Sequence, residues 1–307
     1  MQSEPKKSLI DSLSDSQFIR YSRQIMLPEV DEAGQIKLLN AKVLVIGMGG
    51  LGQQLVQMLA AAGVGTVLFI DFDKVELSNL PRQLLYDAAD IGQYKANAAL
   101  SKLKPAYPDV NFIAINGYFT GNEMNERDKS HVDNQDVIQY SFDSQKLKSL
   151  LGAMPDIVFD CSDNLVTRHQ VNQLCVKHSL VLVSAAVANF NGQLFSYDPK
   201  SRASACYHCL YPKDTQIEQS CSQSGVLGPA VAAVTSMQAM MGLNILLSNR
   251  PQGGVLHKFD GKSLTWERYG LSQDPSCPVC NSHISDSVDI SNNVLRCQTL
   301  YGSRLSD

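Results

Sequence analysis

Three groups of residues have types and spacing that chemistry could use. The first is VLVIGMGGLG (residues 43–52), an apolar run followed by Gly47, Gly49 and Gly52 in G-x-G-x-x-G spacing, with Gly50 between them. Such glycines permit a tight strand-to-helix turn, close approach of backbone to phosphate and close helix packing. A phosphate held there meets backbone N–H groups at the positive end of the following helix. Asp71 ends the next apolar run, TVLFI (66–70), where a carboxylate can accept hydrogen bonds from ribose hydroxyls. A tight turn that binds nothing is the plainer alternative, and the order of strand, glycines, helix and acid weighs against it.

The second group is cationic. Arg23 lies in RYSRQ, Arg82 in LSNLPRQ (77–83) with Ser78 and Asn79, and Lys95 in GQYK. A dinucleotide needs few cations, because backbone N–H groups hold its diphosphate. A triphosphate attacked at phosphorus needs more, because negative charge must be held in the transition state. Taken singly, each cation reads as a solvated surface charge. Asp163, in DCSDN after the apolar IVFD, has two readings: a metal ligand at a strand end, or the cap of a helix starting near Asn164.

The third group is sulfur. Cys206-x-x-Cys209 and Cys277-x-x-Cys280 are two knuckles whose four thiolates suit structural Zn²⁺. A redox C-x-x-C or unrelated thiols are the alternatives, and two such pairs in one chain favour zinc. The metal would staple the chain end back onto the body, with His208 expected to point away. Cys221, in EQSCSQSG, is a candidate nucleophile in a polar segment, or an ordinary loop cysteine; no neighbouring cation lowers its pKa. Cys161 and Cys175 read as core residues, Cys297 as a tail thiol and Trp266 as sheet packing.

The elements that must position these groups alternate. Residues 17–40 read as helical, 42–46 as a strand, 52–62 as a helix and 66–70 as a strand. Further on come a helix over 95–103 stopped by Pro105, a strand over 110–115, a strand over 157–160, a helix over 164–178 and a strand over 180–184. This order predicts an α/β fold with a mostly parallel, Rossmann-like nucleotide-binding sheet. After residue 190, GQLFSYD, GGVLHKFD and SLTWERYG predict a mixed or antiparallel continuation that carries the cysteine site. Residues 1–16 read as a flexible arm, 118–147 as a polar excursion around a short helix and 281–307 as a mobile tail.

A chain of 307 residues with 44% hydrophobic residues can bury a sizeable core, and a formal charge of −4 gives no global basic footprint for nucleic acid or membrane. The polar N-terminus lacks a secretory h-region. Residues 221–249 hold no Asp, Glu, Lys or Arg and are long enough to span a bilayer. They also carry Pro229, Gln238 and Asn244 and lack an aromatic belt, so a buried helix in a core or subunit interface is the expected form. Paired C-x-x-C motifs without an export signal point to a reducing cytoplasm.

RYSRQI (20–25), GMGGLG (47–52), AGVGTVLFIDFDKVELSNLPRQ (62–83), GQYK (92–95), DCSDN (160–164), CYHC, SGVLGP (224–229) and CPVC together resemble the ThiF/MoeB family, bacterial relatives of ubiquitin-activating enzymes. The resemblance covers about residues 15–281. It implies one adenylation domain over 17–280, with a nucleotide half near 40–185 and a carrier-binding, zinc-bearing half near 186–280. It also implies that ATP is consumed to adenylate the C-terminal Gly-Gly carboxylate of a ubiquitin-like sulfur-carrier protein. The roles implied are nucleotide contact for Gly47, Gly49, Gly50, Gly52 and Ser78, ribose for Asp71, phosphates for Asn79, Arg82 and Lys95, and Mg²⁺ for Asp163 beside Asn164. Arg23 would reach across a homodimer interface, and Cys221 would meet the activated carrier during sulfur transfer, with a sulfur-donor protein as a further partner. Pro81 departs from the Gln that the family often has before the arginine. The wording CYHCLYP and FDGKSLTWE lies nearer the thiamine branch than the molybdopterin branch. An NAD-dependent oxidoreductase would leave the cations and cysteines unused, and a silent carrier-binding scaffold would leave Arg23, Arg82, Lys95 and Asp163 without purpose.

Overall fold

The computed structural model describes residues 11–120, 139–142, 144–201, 204–213, 215, 225–247 and 253–281. Its centre is an eight-stranded sheet. β1 (Lys42–Ile46), β2 (Thr66–Asp71) and β3 (Asn111–Asn116) run outward on one side; β6 (Ile157–Asp160), β7 (Val181–Ala188), β8 (Asn191–Tyr197), β9 (Val255–Asp260) and β10 (Thr265–Gly270) run outward on the other. The order is β10-β9-β8-β7-β6-β1-β2-β3. The pairs from β3 to β7 are parallel, and those from β7 to β10 antiparallel. The α/β architecture with an antiparallel continuation is therefore as the sequence indicates.

The central strands β1, β2 and β6 are apolar at every position but their ends, Lys42, Thr66, Asp71 and Asp160, because helices cover both faces. Val43, Val45 and Phe159 face one core, filled by α3 (Gly50–Ala61), α4 (Lys95–Ala106) and α8 (Gly228–Leu246). Leu44, Ile46 and Val158 face the other, filled by α5 (Ser144–Leu151), α6 (Leu165–Lys177) and the cysteine knuckle with α7 (Tyr207–Leu210). The knuckle is thus part of a core layer. Trp266 tilts onto Phe259 with ring centroids 4.9 Å apart, as sheet packing.

Several boundaries differ from the sequence reading. The helical stretch 17–40 is two helices, α1 (Asp15–Ile25) and α2 (Asp31–Asn40), parted around Pro28, which disfavours a helical residue before it. The N-terminal arm gives way to α1 two residues early, because Ser14 and Gln17 form a reciprocal capping box. Pro105 sits inside the last turn of α4, where its missing N–H forfeits only one backbone bond. The excursion at 118–147 is anchored at both ends: β4 (Tyr118–Thr120) pairs with β5 (Gln139–Ser141), and Phe119 stacks on Phe142 in the second core. Residues 1–10 and 282–307, with Cys297, lie outside the described residues.

Among the described residues α8 is the one helix long and apolar enough to cross a membrane. It packs on α3, β7 and β8, buries Val231, Val234 and Gln238, and exposes Met240. Its approach to the sheet rests on Gly242, where an added Cβ would lie 2.3 Å from the Phe159 ring. Gly242→Ala should therefore cost about 1–3 kcal/mol of stability by overpacking. Gly270→Ala, on the open edge of β10 with nothing within 4 Å of the added carbon, should change stability by less than about 0.5 kcal/mol. Urea denaturation of the two variants checks the contrast.

Candidate functional site

The chain runs β1, β2, β3 in one direction and returns to β6 on the other side of β1, so the sheet order reverses between β1 and β6. Open α/β sheets bind ligands in the crevice at such a point. Here the crevice is a cleft of about 410 Å³ walled by the loops that leave β1, β2 and β6.

The loop after β1 turns at Gly47, whose φ of +93° suits glycine. A Cβ at Gly47 would lie 2.8 Å from the Cys161 carbonyl, and one at Gly52 1.8 Å from the Gly47 carbonyl. Gly47 thus lets two loops touch, while Gly52 lets α3 close onto the turn and does not itself line the cleft. Gly49 caps α3, and Gly49 and Gly50 form cleft wall with backbone N–H groups at the helix start.

Asp71 accepts hydrogen bonds from the backbone N–H of Met48 at 2.6 Å and of Asp73 at 2.7 Å, which ties the two loops together. Burial pushes its carboxyl up to about 6, against the pull of Lys95. Lys95 is buried at the start of α4, and its Nζ donates to Asp73 at 2.8 Å. Burial favours its neutral form, but Asp71, Asp73 and Asp163 outweigh that and raise its pKa, so the ammonium keeps its charge. Arg82 lines the facing wall, held by its donation to the Ser78 carbonyl at 2.8 Å.

Ser78 and Asn79 do not line the cleft. They form the 3₁₀ turn Leu77–Asn79, where the Asn79 carbonyl amide oxygen accepts from Glu76 N–H at 3.2 Å. They shape the loop that carries Arg82. Asp163 and Asn164 lie at the end of β6 in the cleft wall. Asn164 caps α6, its Oδ1 accepting from Thr167 N–H at 2.9 Å, which leaves the exposed Asp163 carboxylate free of that duty. Arg23 is exposed in the last turn of α1, away from the cleft wall. Cys221 lies outside the described residues.

Sequence reasoning passed over three residues here. Asp73, two places after Asp71, holds Lys95; counting acids near each lysine would have found it. Gln83 lines the cleft beside Gly49 with its Oε1 buried and without a hydrogen bond. Arg168, on α6, is buried and donates to Asp160 at 3.3 Å, Ser184 Oγ at 2.8 Å, the Ala185 carbonyl at 2.9 Å and the Ser162 carbonyl. It fixes the backbone beside Asp163, and only a helical register placing it inward could have shown this. The Cys161 thiol at the cleft floor is buried, which pushes its pKa up and keeps it inert; Cys175 behaves the same way.

The four knuckle cysteines converge. Their ligand atoms all lie within 4.8 Å of one another and could hold a metal. Three sulfur–sulfur separations are 3.9, 3.7 and 3.5 Å. A tetrahedron with metal–sulfur bonds of about 2.3 Å has edges of about 3.8 Å, so the donor set fits zinc. His208 does not point away: its Nδ1 faces Cys277 Sγ at 3.8 Å, because its ring packs edge-on against His169.

The family model described as "ThiF family" matches residues 21–279. The sulfur carrier protein ThiS adenylyltransferase of Escherichia coli (strain K12) is 36% identical over 276 residues, covering 90% of this chain and 100% of that protein. The molybdopterin-synthase adenylyltransferase of the same organism is 33% identical, covering 87% and 98%. Among solved structures, E. coli MccB with ATP is similar at a TM-score of 0.63 and 20% identity, covering 85% of this chain and 73% of that one, a likeness of fold alone.

The raised pKa of Asp71 carries a sign. Its ionised form prevails above about pH 6 and is lost below it, and the ribose contact expected of Asp71 calls for that form. Nucleotide affinity should therefore fall as pH drops through 6, by up to about tenfold per pH unit. Calorimetric titration with a non-hydrolysable ATP analogue at pH 5 to 8 checks this, and Asp71→Asn should flatten the profile.

Proposed function

The chain belongs to the ThiF family, and from that premise we infer that it is an adenylyltransferase acting on a sulfur-carrier protein, with ATP as the second substrate. The finer reading is that the carrier is ThiS-like and serves thiamine (thiazole) biosynthesis. It is supported by the 36% identity to a ThiS adenylyltransferase along 90% of the chain and by the wording around the first cysteine pair. The molybdopterin-synthase carrier is the second reading, favoured by the 33% identity to that adenylyltransferase.

The observation that carries the reaction is the meeting of Lys95, Arg82 and Asp163 around the glycine loop at the sheet's switch point. The carrier's terminal carboxylate is already ionised at neutral pH, so the attack needs no general base. The obstacle is bringing an anion to a polyanion. The carboxylate oxygen forms a bond to the α-phosphorus, the bond to the β-phosphate oxygen breaks, and pyrophosphate leaves as the acyl-adenylate forms. Lys95 and Arg82 hold the departing charge, and the helix start at Gly49 and Gly50 adds oriented N–H groups. Asp163, freed from capping, would hold Mg²⁺, which supplies Lewis-acid charge neutralisation when bound. Asp71 orients the ribose. The carrier tail would enter past Ala186, Val187, Gly225 and Val226, which line the cleft. The Cys221 sulfur would attack the acyl carbon of the adenylate, forming a thioester as the bond to the phosphate oxygen breaks and AMP leaves, and a sulfur-donor protein would be a further partner.

The four cysteines would hold structural Zn²⁺, and a reducing compartment, the cytoplasm, would keep them as thiolates. A homodimer is part of this reading. Arg23 lies away from its own cleft on α1, whose neighbourhood exposes Phe18, Ile19, Met26 and Leu27, an apolar face that a second copy would cover with Arg23 directed into the partner's site.

Two experiments test these assignments. Incubated with ATP, Mg²⁺ and ThiS-type or MoaD-type carriers in parallel, the chain should form a carrier–AMP adduct seen by intact mass, faster with the ThiS type. Asp163→Ala should slow it at least about a hundredfold; a folded variant at wild-type rate would remove Asp163 from the magnesium role. Arg23→Ala and Asp163→Ala chains, each inactive alone, should recover about a quarter of wild-type activity when unfolded and refolded together, because half the mixed dimers' sites are intact. No recovery would place Arg23 in its own chain's site or outside the reaction.

A further inference from the structure

Three of the four knuckle sulfurs accept an N–H hydrogen bond, and a histidine ring nitrogen faces the fourth. Asn172 Nδ2 donates to Cys206 at 3.5 Å, and the Asp274 backbone N–H to Cys209 at 3.5 Å. His208 Nδ1 faces Cys277 at 3.8 Å, and Gln273 Nε2 donates to Cys280 at 3.4 Å. The sulfurs therefore do not share one crowded side; the donors come from α6, from inside the first cysteine pair and from the segment preceding the second.

The Asn172 contact has a fixed sense. Its Oδ1 accepts from the Tyr207 backbone N–H at 2.9 Å. A backbone N–H can only donate, so the amide oxygen must face it, and the NH₂ group must face Cys206. Asn172 is fully buried. It also lies one helical turn beyond Arg168 and two beyond Asn164, so one stripe of α6 carries the helix cap at the cleft, the guanidinium behind Asp163 and the contact to the knuckle.

We propose that Asn172, Gln273, the Asp274 amide and His208 in its Nδ1–H tautomer form a donor ring, one N–H per sulfur, that orients the four thiolates for a metal and, through Asn172, fastens the knuckle to α6. The proposal rests on the four-thiolate zinc reading. Four thiolates around one divalent ion leave a net charge of −2, and N–H···S hydrogen bonds disperse it where burial makes it most costly. The same bonds lower the energy of the sulfur lone pairs and so make the thiolates poorer nucleophiles, which suits a site that holds shape. Asn172, His208 and Gln273 act on the metal through its ligands and are positioning residues.

The test uses the full chain loaded with Zn²⁺ or with Co²⁺ as a spectroscopic substitute. Gln273→Leu and Asn172→Leu each remove one side-chain donor. Zinc affinity, measured by competition with a chelator, should fall by about 10- to 100-fold. The sulfur-to-cobalt charge-transfer band should move to longer wavelength, because an unbonded thiolate gives up charge more easily; a purely structural role would leave the band where it is. If Asn172→Leu does not fold, Gln273→Leu, at a half-buried position, decides alone. Unchanged affinity and an unmoved band in folded variants would overturn the ring while sparing the zinc site. A wild-type chain that takes up neither metal would overturn the four-thiolate reading and the ring with it.

Discussion

The contact between the Gly47 turn and the Cys161 carbonyl is the constraint on which the rest depends. At the strand-order reversal the loops after β1 and β6 must pass within reach of each other. Gly47 lacks the carbon that would collide with Cys161 O at 2.8 Å, and Gly52 lacks the one that would strike the Gly47 carbonyl. Because these approaches are allowed, the start of α3 and the end of β6 open into one cleft. Oriented N–H groups on one wall then face Asp163 on another. A bulkier side chain at either glycine would push apart the halves that the chemistry requires together.

Electrostatics within that cleft follow from burial. Lys95 is nearly sequestered, so burial alone would lower its pKa. Asp71, Asp73 and Asp163 reverse that preference and keep a fixed cation beside the site. The same burial lifts Asp71 toward neutrality. Each group therefore depends on the other, and in the proposed reaction the arrival of ATP and Mg²⁺ would change the balance of charge around the pair. The buried Arg168–Asp160 pair behind the β6 loop does different work: it anchors backbone, and its guanidinium is consumed by Asp160, Ser184 and two carbonyls. Lys95 and Arg168, two of the cations that line the cleft, thus differ: Lys95 is held by the acids around it, and Arg168 is committed to the scaffold.

Much of this was legible because it is written in short-range pattern. G-x-G-x-x-G after an apolar run marks a strand, a turn and a helix start without tertiary information, and the C-x-x-C pairs state their own geometry. Where tertiary contacts decide, the sequence was silent or misleading. Ser78 and Asn79 sit beside Arg82 in the chain, yet a 3₁₀ turn directs them into loop support. Asp163 and Asn164 are equally good caps by type, and only the fold assigns the cap to Asn164. His208 looked redundant beside four cysteines, but packing against His169 turns it toward a sulfur. Arg168 resembled any helical arginine until the sheet buried it.

If the nucleotide in this cleft is consumed by carboxylate attack at its α-phosphorus, pyrophosphate–ATP exchange measures that step directly. With a carrier ending in Gly-Gly, labelled pyrophosphate should enter ATP; with the same carrier lacking its terminal glycines, it should not. Exchange independent of the carrier, or none with ThiS-type or MoaD-type carriers in folded, metal-loaded protein, would contradict the claim. NAD binding in that same sample would instead make the glycine loop a cofactor site.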